Sequence, residues 1–302
     1  MLNRADIPTG TLPNIIDYQD PHVAQLMADG FINVEDEIIL RNVYSSIRRG
    51  LPQMRTGPTR PDVICLVGSG PSLNETEDEL RELLWNGAIL VTLNGSYHWC
   101  RERNLKPQTQ IVLDARPTNA RFVTPYVPKC NYVLASQCAP EVFDAVAEYP
   151  DVWIFHGVAK AGDTATEMLN DYYGENWVAV GGGTTVASRA LLLLRMSGYV
   201  RFELFGVDCC WHGTEHHALP QPENDKDSRA RITVGLKGEE KRVPFYCSQS
   251  HIKQLEDFLN ILHLNGKHFR LSVHGKGMLA YVIRALGSAE PDTLDITKES
   301  EG

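Results

Sequence analysis

Val63-Ile64-Cys65-Leu66-Val67-Gly68-Ser69-Gly70-Pro71-Ser72-Leu73 is an apolar run that breaks into a glycine turn and then a helix start. Strand-forming residues end in Gly68 and Gly70, which tolerate a tight turn and let backbone amides come close to a ligand. Pro71 presets φ where a helix begins, and Ser72 or Asn74 stands where it can cap the free N–H groups. A joint of this kind aims amides and the positive end of a helix dipole at an anion, usually a phosphate or carboxylate. Gly68, Ser69, Gly70, Pro71 and Ser72 are therefore candidate ligand-binding residues; the competing reading is a purely structural turn. As a dinucleotide fingerprint the stretch is incomplete, because Leu73 replaces the third glycine of G-x-G-x-x-G and Asn94 stands where a ribose-binding acid would end the next strand. NAD is not expected, and the phosphates of a single nucleotide are.

Outward from this stretch, short apolar runs alternate with amphipathic segments, the pattern of repeated βα units and a parallel sheet. The sequence predicts strands near 62–67, 88–93, 109–113, 131–135, 152–156, 201–206 and 268–273. Helices are expected at 74–86, 96–104, 140–148, 163–173, 183–197, 249–264 and 277–286. The fold class is α/β: a Rossmann-like, mostly parallel sheet flanked by helices. Residues 1–60 read as an N-terminal helical extension and linker, with a helix from Val34 to Arg49. Residues 61–286 read as the Rossmann-like nucleotide-binding domain, and 287–302 as a disordered acidic tail. The pattern lapses into a polar stretch at 211–245, expected to be a lid, in which Arg231-Ile232-Thr233-Val234 could be half of a small hairpin.

Over 302 residues the net charge is -9 and the pI about 5.6, which argues against broad nucleic-acid or membrane-surface binding. Seven cysteines without C-x-x-C spacing suggest reduced thiols and a cytoplasmic protein, and no apolar stretch reaches the length of a membrane span. A homo-oligomer is possible.

In an open parallel sheet, ligands sit beyond the carboxyl ends of the strands. Asp114 and Asp208 each follow an apolar run at such an end, where an acid can hold a metal such as Mg²⁺, accept a ribose hydroxyl, act as a base or cap the next helix. Asn94 also ends a strand, and Gly181-Gly182-Gly183-Thr184-Thr185 opens a long apolar helix. Gly182, Gly183, Thr184 and Thr185 thus form a second candidate anion site or, equally, a close-packed turn. Cys209, Cys210, His212, His216 and His217 cluster after Asp208, but adjacent cysteines do not reproduce the separated pairs of structural zinc sites. His216 or His217 fits better as a general acid or base, or as a phosphate contact. Tyr246 and His251, at the far end of the lid, could activate a hydroxyl nucleophile. No G-x-x-x-x-G-K-[ST], G-x-S-x-G or H-E-x-x-H pattern occurs.

The glycine turn, the strand ending Leu113-Asp114, the helix start at Gly181 to Ser188 and Phe205-Gly206-Val207-Asp208 occur in the order found in the MptE-like domain family, which this chain resembles. That family includes archaeal 6-hydroxymethylpterin pyrophosphokinases and motility-associated factors implicated in flagellin glycosylation. More weakly, the G-x-G-P-S-L turn, Asn94 and Gly206-Val207-Asp208 before a lid are similar to bacterial sialyltransferases that use CMP-sialic acid. Tyr246 stands where the sialyltransferase base, a histidine, is found. The resemblance implies an activated nucleotide donor, a CMP-sugar or ATP, and a hydroxyl acceptor. Glycosyl transfer is the leading expectation, drawn from Gly68 to Leu73, Asn94 and the lid. Pyrophosphoryl transfer with Mg²⁺ on Asp114 and Asp208 is the alternative, and a non-catalytic nucleotide-binding module a second one.

Overall fold

The computed structural model describes residues 34–158, 164–221, 228–235 and 243–285. The expected disordered tail and most of the expected N-terminal extension lie outside these residues. Among these residues ten strands are formed: β1 (Arg60–Val67), β2 (Ile89–Leu93), β3 (Thr109–Val112), β4 (Asn131–Ala135), β5 (Val152–Gly157), β6 (Ala179–Val180), β7 (Tyr199–Phe205), β8 (Ala230–Val234), β9 (Val243–Cys247) and β10 (Arg270–Val273). The helices are α1 (Asp36–Ile47), α2 (Glu77–Trp85), α3 (Ser96–Glu102), α4 (Pro140–Asp144), α5 (Thr164–Tyr173), α6 (Val186–Met196), α7 (Gln249–Asn265) and α8 (Met278–Ala285).

Eight strands form one sheet in the order β10-β7-β1-β2-β3-β4-β5-β6, and every neighbouring pair is parallel. Ile64 to Val67 are completely buried, as expected of a central strand covered on both faces. The seven strands expected from the apolar runs are all present. The two-residue β6 gave no such signal, because its short pairing with His156 and Gly157 needs no apolar run. From β1 the chain steps outward to β6 and then returns to β7 beside β1. This reversal opens a crevice between the carboxyl ends of β1 and β7, where parallel α/β sheets take their ligands.

Two additions complete the domain. The hairpin anticipated at Arg231 to Val234 exists as antiparallel β8 and β9, with Arg231 opposite Tyr246. Helix α1 lies over the ends of β3 and β4: Asn42 Nδ2 donates to the carbonyls of Ala115 (3.1 Å) and Gln137 (3.0 Å), and Ser46 Oγ to that of Ser136 (2.7 Å). Met54 N–H bonds the carbonyl of Ile154 on β5. Residues assigned by sequence to an extension thus pack into the domain, since two buried polar side chains on α1 satisfy loop carbonyls that nothing local would. Among the described residues no helix is long and apolar enough to cross a membrane.

At the end of β5, His156 is 1 % exposed, packed against Tyr173 and Trp177, and neither ring nitrogen has a hydrogen-bond partner. Burial, with Arg55 nearby, lowers its pKa from 6.5 to about 4. Between those two values the unfolded chain binds the proton and the folded chain does not. The stability held by the neutral imidazole is therefore complete above pH 6.5 and is lost as pH falls through about 4. The shift corresponds to roughly 3 kcal/mol. His156→Phe is expected to flatten the acid side of the stability profile, measured as the urea midpoint between pH 7.5 and 4.5; a variant curve parallel to that of the unsubstituted protein would contradict this.

Candidate active site

A cleft of about 940 Å³ runs along the carboxyl ends of the sheet. It is lined by Gly68 to Gly70 after β1, Asn94 after β2, Leu113 to Arg116 after β3, Gln137 after β4, Gly157 on β5 and Gly206 to Cys210 after β7. The described part of the lid borders it as well: Ala218 N–H bonds the Ser69 carbonyl (2.8 Å), and His216, His217 and Gln221 line the cleft.

The glycine turn is arranged differently from the expected amide cradle. Gly68 N–H donates to the Phe205 carbonyl (2.8 Å), Gly70 N–H to the Gly206 carbonyl (2.8 Å) and Ser72 N–H to Asp208 Oδ2 (2.9 Å). Pro71 has no N–H, so only Ser69 N–H lacks a partner among the described residues. Glycine is required here by the approach of two loops: a Cβ on Gly70 would collide with Asp208 Oδ2, and one on Gly206 would lie 2.6 Å from Leu73 Cγ. Pro71 and Ser72, expected to bind ligand, are buried and do not line the cleft.

Asp208 is 4 % exposed and serves this junction. Burial raises its pKa, against the lowering effect of its bonds to Ser72. Asp114 accepts from Arg116 N–H (2.9 Å) and Arg116 Nε (3.1 and 3.0 Å), and is ion-paired with the same guanidinium. Strands β1 and β2 separate β7 from β3, so the strands that lead to the two acids lie three strand spacings apart, about 14 Å. With Asp114 engaged by Arg116 and Asp208 by Ser72, the expected joint metal role does not fit this donor set. Among the described residues no group of three His, Cys, Asp or Glu side chains is placed to hold a metal. Cys209, Cys210 and Cys247 are buried, and burial pushes their pKa values up, that of Cys210 to about 12, so they stand as thiols.

The second glycine turn is engaged internally too. Thr184 N–H and Oγ1 donate to Asp257 Oδ2 (2.7 and 3.0 Å), and Thr185 caps α6 by accepting from Ser188 N–H. Thr184 and Thr185 line the cleft, whereas Gly182 and Gly183 do not.

Three histidines line one part of the cleft. Trp211 stacks on His216 at 4.4 Å between centroids, His217 lies 4.1 Å beyond, and His251 meets His216 edge-on at 4.8 Å. At the start of α7, His251 Nδ1 accepts from Ser248 N–H (3.2 Å) in a capping box. A neutral ring that accepts at Nδ1 carries its proton on Nε2, so His251 is a donor at Nε2 and not the base considered from sequence. Burial, together with His216 and His217, holds its pKa well below the usual imidazole value. Tyr246 is 46 % exposed on β9, near the Arg229 guanidinium, and does not line the cleft.

Cleft residues that the sequence reading passed over include Asn119, Arg189 and Gln221. Arg189 carried a signal, a cation in the middle of an apolar helix; its Nη1 ties the carbonyls of Val158 (2.9 Å) and Val180 (2.7 Å). Asn119, on the 3-10 turn Pro117–Val123, and Gln221, in a loop, carried no distinguishing sequence pattern.

An α/β domain whose eight-stranded sheet is all-parallel, with a cleft at its strand reversal, defines a Rossmann-like fold. The chain belongs to the MptE-like family, whose model, described as 6-hydroxymethylpterin diphosphokinase MptE-like, matches residues 39–214. The MAf glycosyltransferase from Magnetospirillum magneticum AMB-1 is similar in structure at a TM-score of 0.59 and 15 % identity. That match covers 86 % of this chain and 39 % of the glycosyltransferase chain, so this chain spans well under half of that protein. A mammalian sialyltransferase crystallised with Gal-beta-1-3GalNAc-ortho-nitrophenol matches at a TM-score of 0.39 and 10 % identity over 91 % of this chain and 92 % of its own, too low a score to equate the folds. No curated protein matches the sequence.

Gly70→Ala is expected to lower stability by roughly 3 kcal/mol through the Asp208 clash. Asp208→Ala, which leaves Ser72 N–H buried without a partner, is expected to cost about 1 to 3 kcal/mol, and Asp208→Asn, which keeps an acceptor oxygen, should recover much of that. Urea unfolding reads all three; a Gly70→Ala protein as stable as the parent would refute the loop-to-loop account.

Proposed function

We propose that this chain is a nucleotide-dependent transferase that moves a glycosyl group from a nucleotide sugar, such as a CMP-sugar, to a hydroxyl acceptor. The observation that carries this reading is the placement of His216, His217 and His251 on a cleft at the strand reversal of the sheet. In such a transfer the bond from the sugar's anomeric carbon to the nucleotide phosphate breaks, the acceptor oxygen bonds to that carbon, and a base takes the acceptor proton. His216 is enclosed by Trp211, His217 and His251, and His251 already carries its proton on Nε2. His217, at the outer end of the stack, is the base we assign. Ser69 N–H and His251 Nε2–H are the donors offered to the departing phosphate.

The family description favours a second reading, pyrophosphoryl transfer from ATP to a hydroxyl. Charge on the transferred phosphates would then call for Mg²⁺ on carboxylates. Asp114, engaged by Arg116, and Asp208, engaged by Ser72, suit that requirement poorly, and glycosyl transfer ranks first for this reason.

Thermal shift with CMP-, UDP- and GDP-sugars and with ATP, each with and without Mg²⁺, separates the readings. Stabilisation by a nucleotide sugar is the expected result; stabilisation by ATP with Mg²⁺ alone would reverse the ranking, and none at all would overturn both. With a donor in hand, His217→Ala is expected to lower kcat about 10²- to 10⁴-fold with nucleotide binding retained. Unchanged turnover would remove His217 from the role of base.

A further inference from the structure

Two side-chain amides bordering the cleft hold polar atoms that the protein itself leaves unsatisfied. Asn119 is 2 % exposed and its Nδ2 has no hydrogen-bond partner; Asn94 Oδ1 is buried and has none either. Buried polar groups are nearly always paired, because an unmet donor or acceptor costs about 1 to 3 kcal/mol, so two of them lining one cleft call for an explanation.

The surrounding structure holds both in place. Asn94 has φ +45, in the left-handed region that an asparagine tolerates better than most residues. Gln110, wholly buried, fixes the geometry: its Nε2 donates to the Asn94 carbonyl (2.9 Å) and to the Phe122 carbonyl (3.0 Å), and its Oε1 accepts from Thr92 Oγ1 (2.6 Å). One side chain thereby links the end of β2 to the 3-10 turn Pro117–Val123 that carries Asn119. A Cβ on Gly95 would lie 3.2 Å from the Phe122 ring, so the two segments are in direct contact.

Building on the nucleotide reading above, we propose that Asn94 and Asn119 recognise the ribose of the donor through its 2′,3′-diol. One hydroxyl donates to Asn94 Oδ1 and the other accepts from Asn119 Nδ2, which meets both unsatisfied atoms at once. The end of the second strand is where parallel nucleotide-binding sheets read ribose, with a carboxylate in dinucleotide enzymes; an amide pair does the same work here without a charge. A site built to hydrogen-bond a hydroxyl rejects the analogue that lacks it, because its own groups are then left unpaired.

The test is calorimetric binding of CMP against 2′-deoxy-CMP, and of ATP against 2′-deoxy-ATP, to the full chain and to Asn119→Leu and Asn119→Asp variants. The full chain is expected to prefer the ribonucleotide by about tenfold or more; Asn119→Leu is expected to lose that preference, and Asn119→Asp, whose carboxylate can accept from the hydroxyl, to keep it. In the absence of nucleotide, Asn119→Leu is expected to unfold at a temperature equal to or above that of the parent, since it removes an unpaired buried donor; a structural asparagine would instead cost stability, and a lower unfolding temperature would count against the assignment. Equal affinity for ribo- and deoxyribonucleotides, or a preference that survives in Asn119→Leu, would overturn this inference and leave the nucleotide reading intact. Binding of no nucleotide would overturn both.

Discussion

One buried hydrogen bond, from Ser72 N–H to the Asp208 carboxylate, joins the turn after β1 to the turn after β7, and the geometry of the cleft follows from it. These are the strands at which the chain reverses direction across the sheet, so their turns must meet with no helix between them. The approach is backbone to backbone: Gly68 and Gly70 N–H groups reach the carbonyls of Phe205 and Gly206, and side chains at Gly70 or Gly206 would block it. A carboxylate removed from water in this way is costly unless its acceptor capacity is used, and the opposing turn supplies the donor. The junction forms the floor of the cleft. Other residues are left to meet the ligand.

This arrangement explains which parts of the site were legible in the sequence. Apolar runs announced the strands, and several polar residues at their ends, Asn94, Asp114 and Gln137 among them, line the cleft, because burial on both faces leaves only the strand ends free to be polar. The motif Gly68 to Leu73 was legible as important, yet a glycine demanded by a ligand and a glycine demanded by a second loop look the same in one dimension. The partner, Gly206 to Asp208, lies more than 130 positions away, and only the fold pairs them. Asp114 and Asp208 fit a joint metal role poorly for a similar reason: the engagement of Asp208 by Ser72 depends on strand order, which is not written in either segment.

Elsewhere the missing information was three-dimensional in another sense. His251 looked like a base until the capping box assigned its proton to Nε2. Tyr246 aligned with a catalytic position but sits on the strand that turns it toward Arg229 and away from the cleft. Asn119 had no periodicity or neighbour to mark it, and only its unsatisfied amide distinguishes it in the folded chain. The boundary placed at residue 60 overlooked Asn42 and Ser46, whose bonds into the loops after β3 and β4 place α1 within the domain, in keeping with a family match that begins at residue 39.

The structural junction is thus distinct from the rim proposed to meet the nucleotide, which includes Ser69, Asn94, Asn119 and the histidine stack. Amide hydrogen exchange resolved by residue, with and without CMP, tests that division directly. Gly68, Gly70 and Ser72 should be protected before any nucleotide is added and unchanged by it, while Ser69 exchanges freely and gains protection on binding. Rapid exchange at Gly70 and Ser72 that slows only when nucleotide is present would show that these amides serve the ligand, and the central claim would fail.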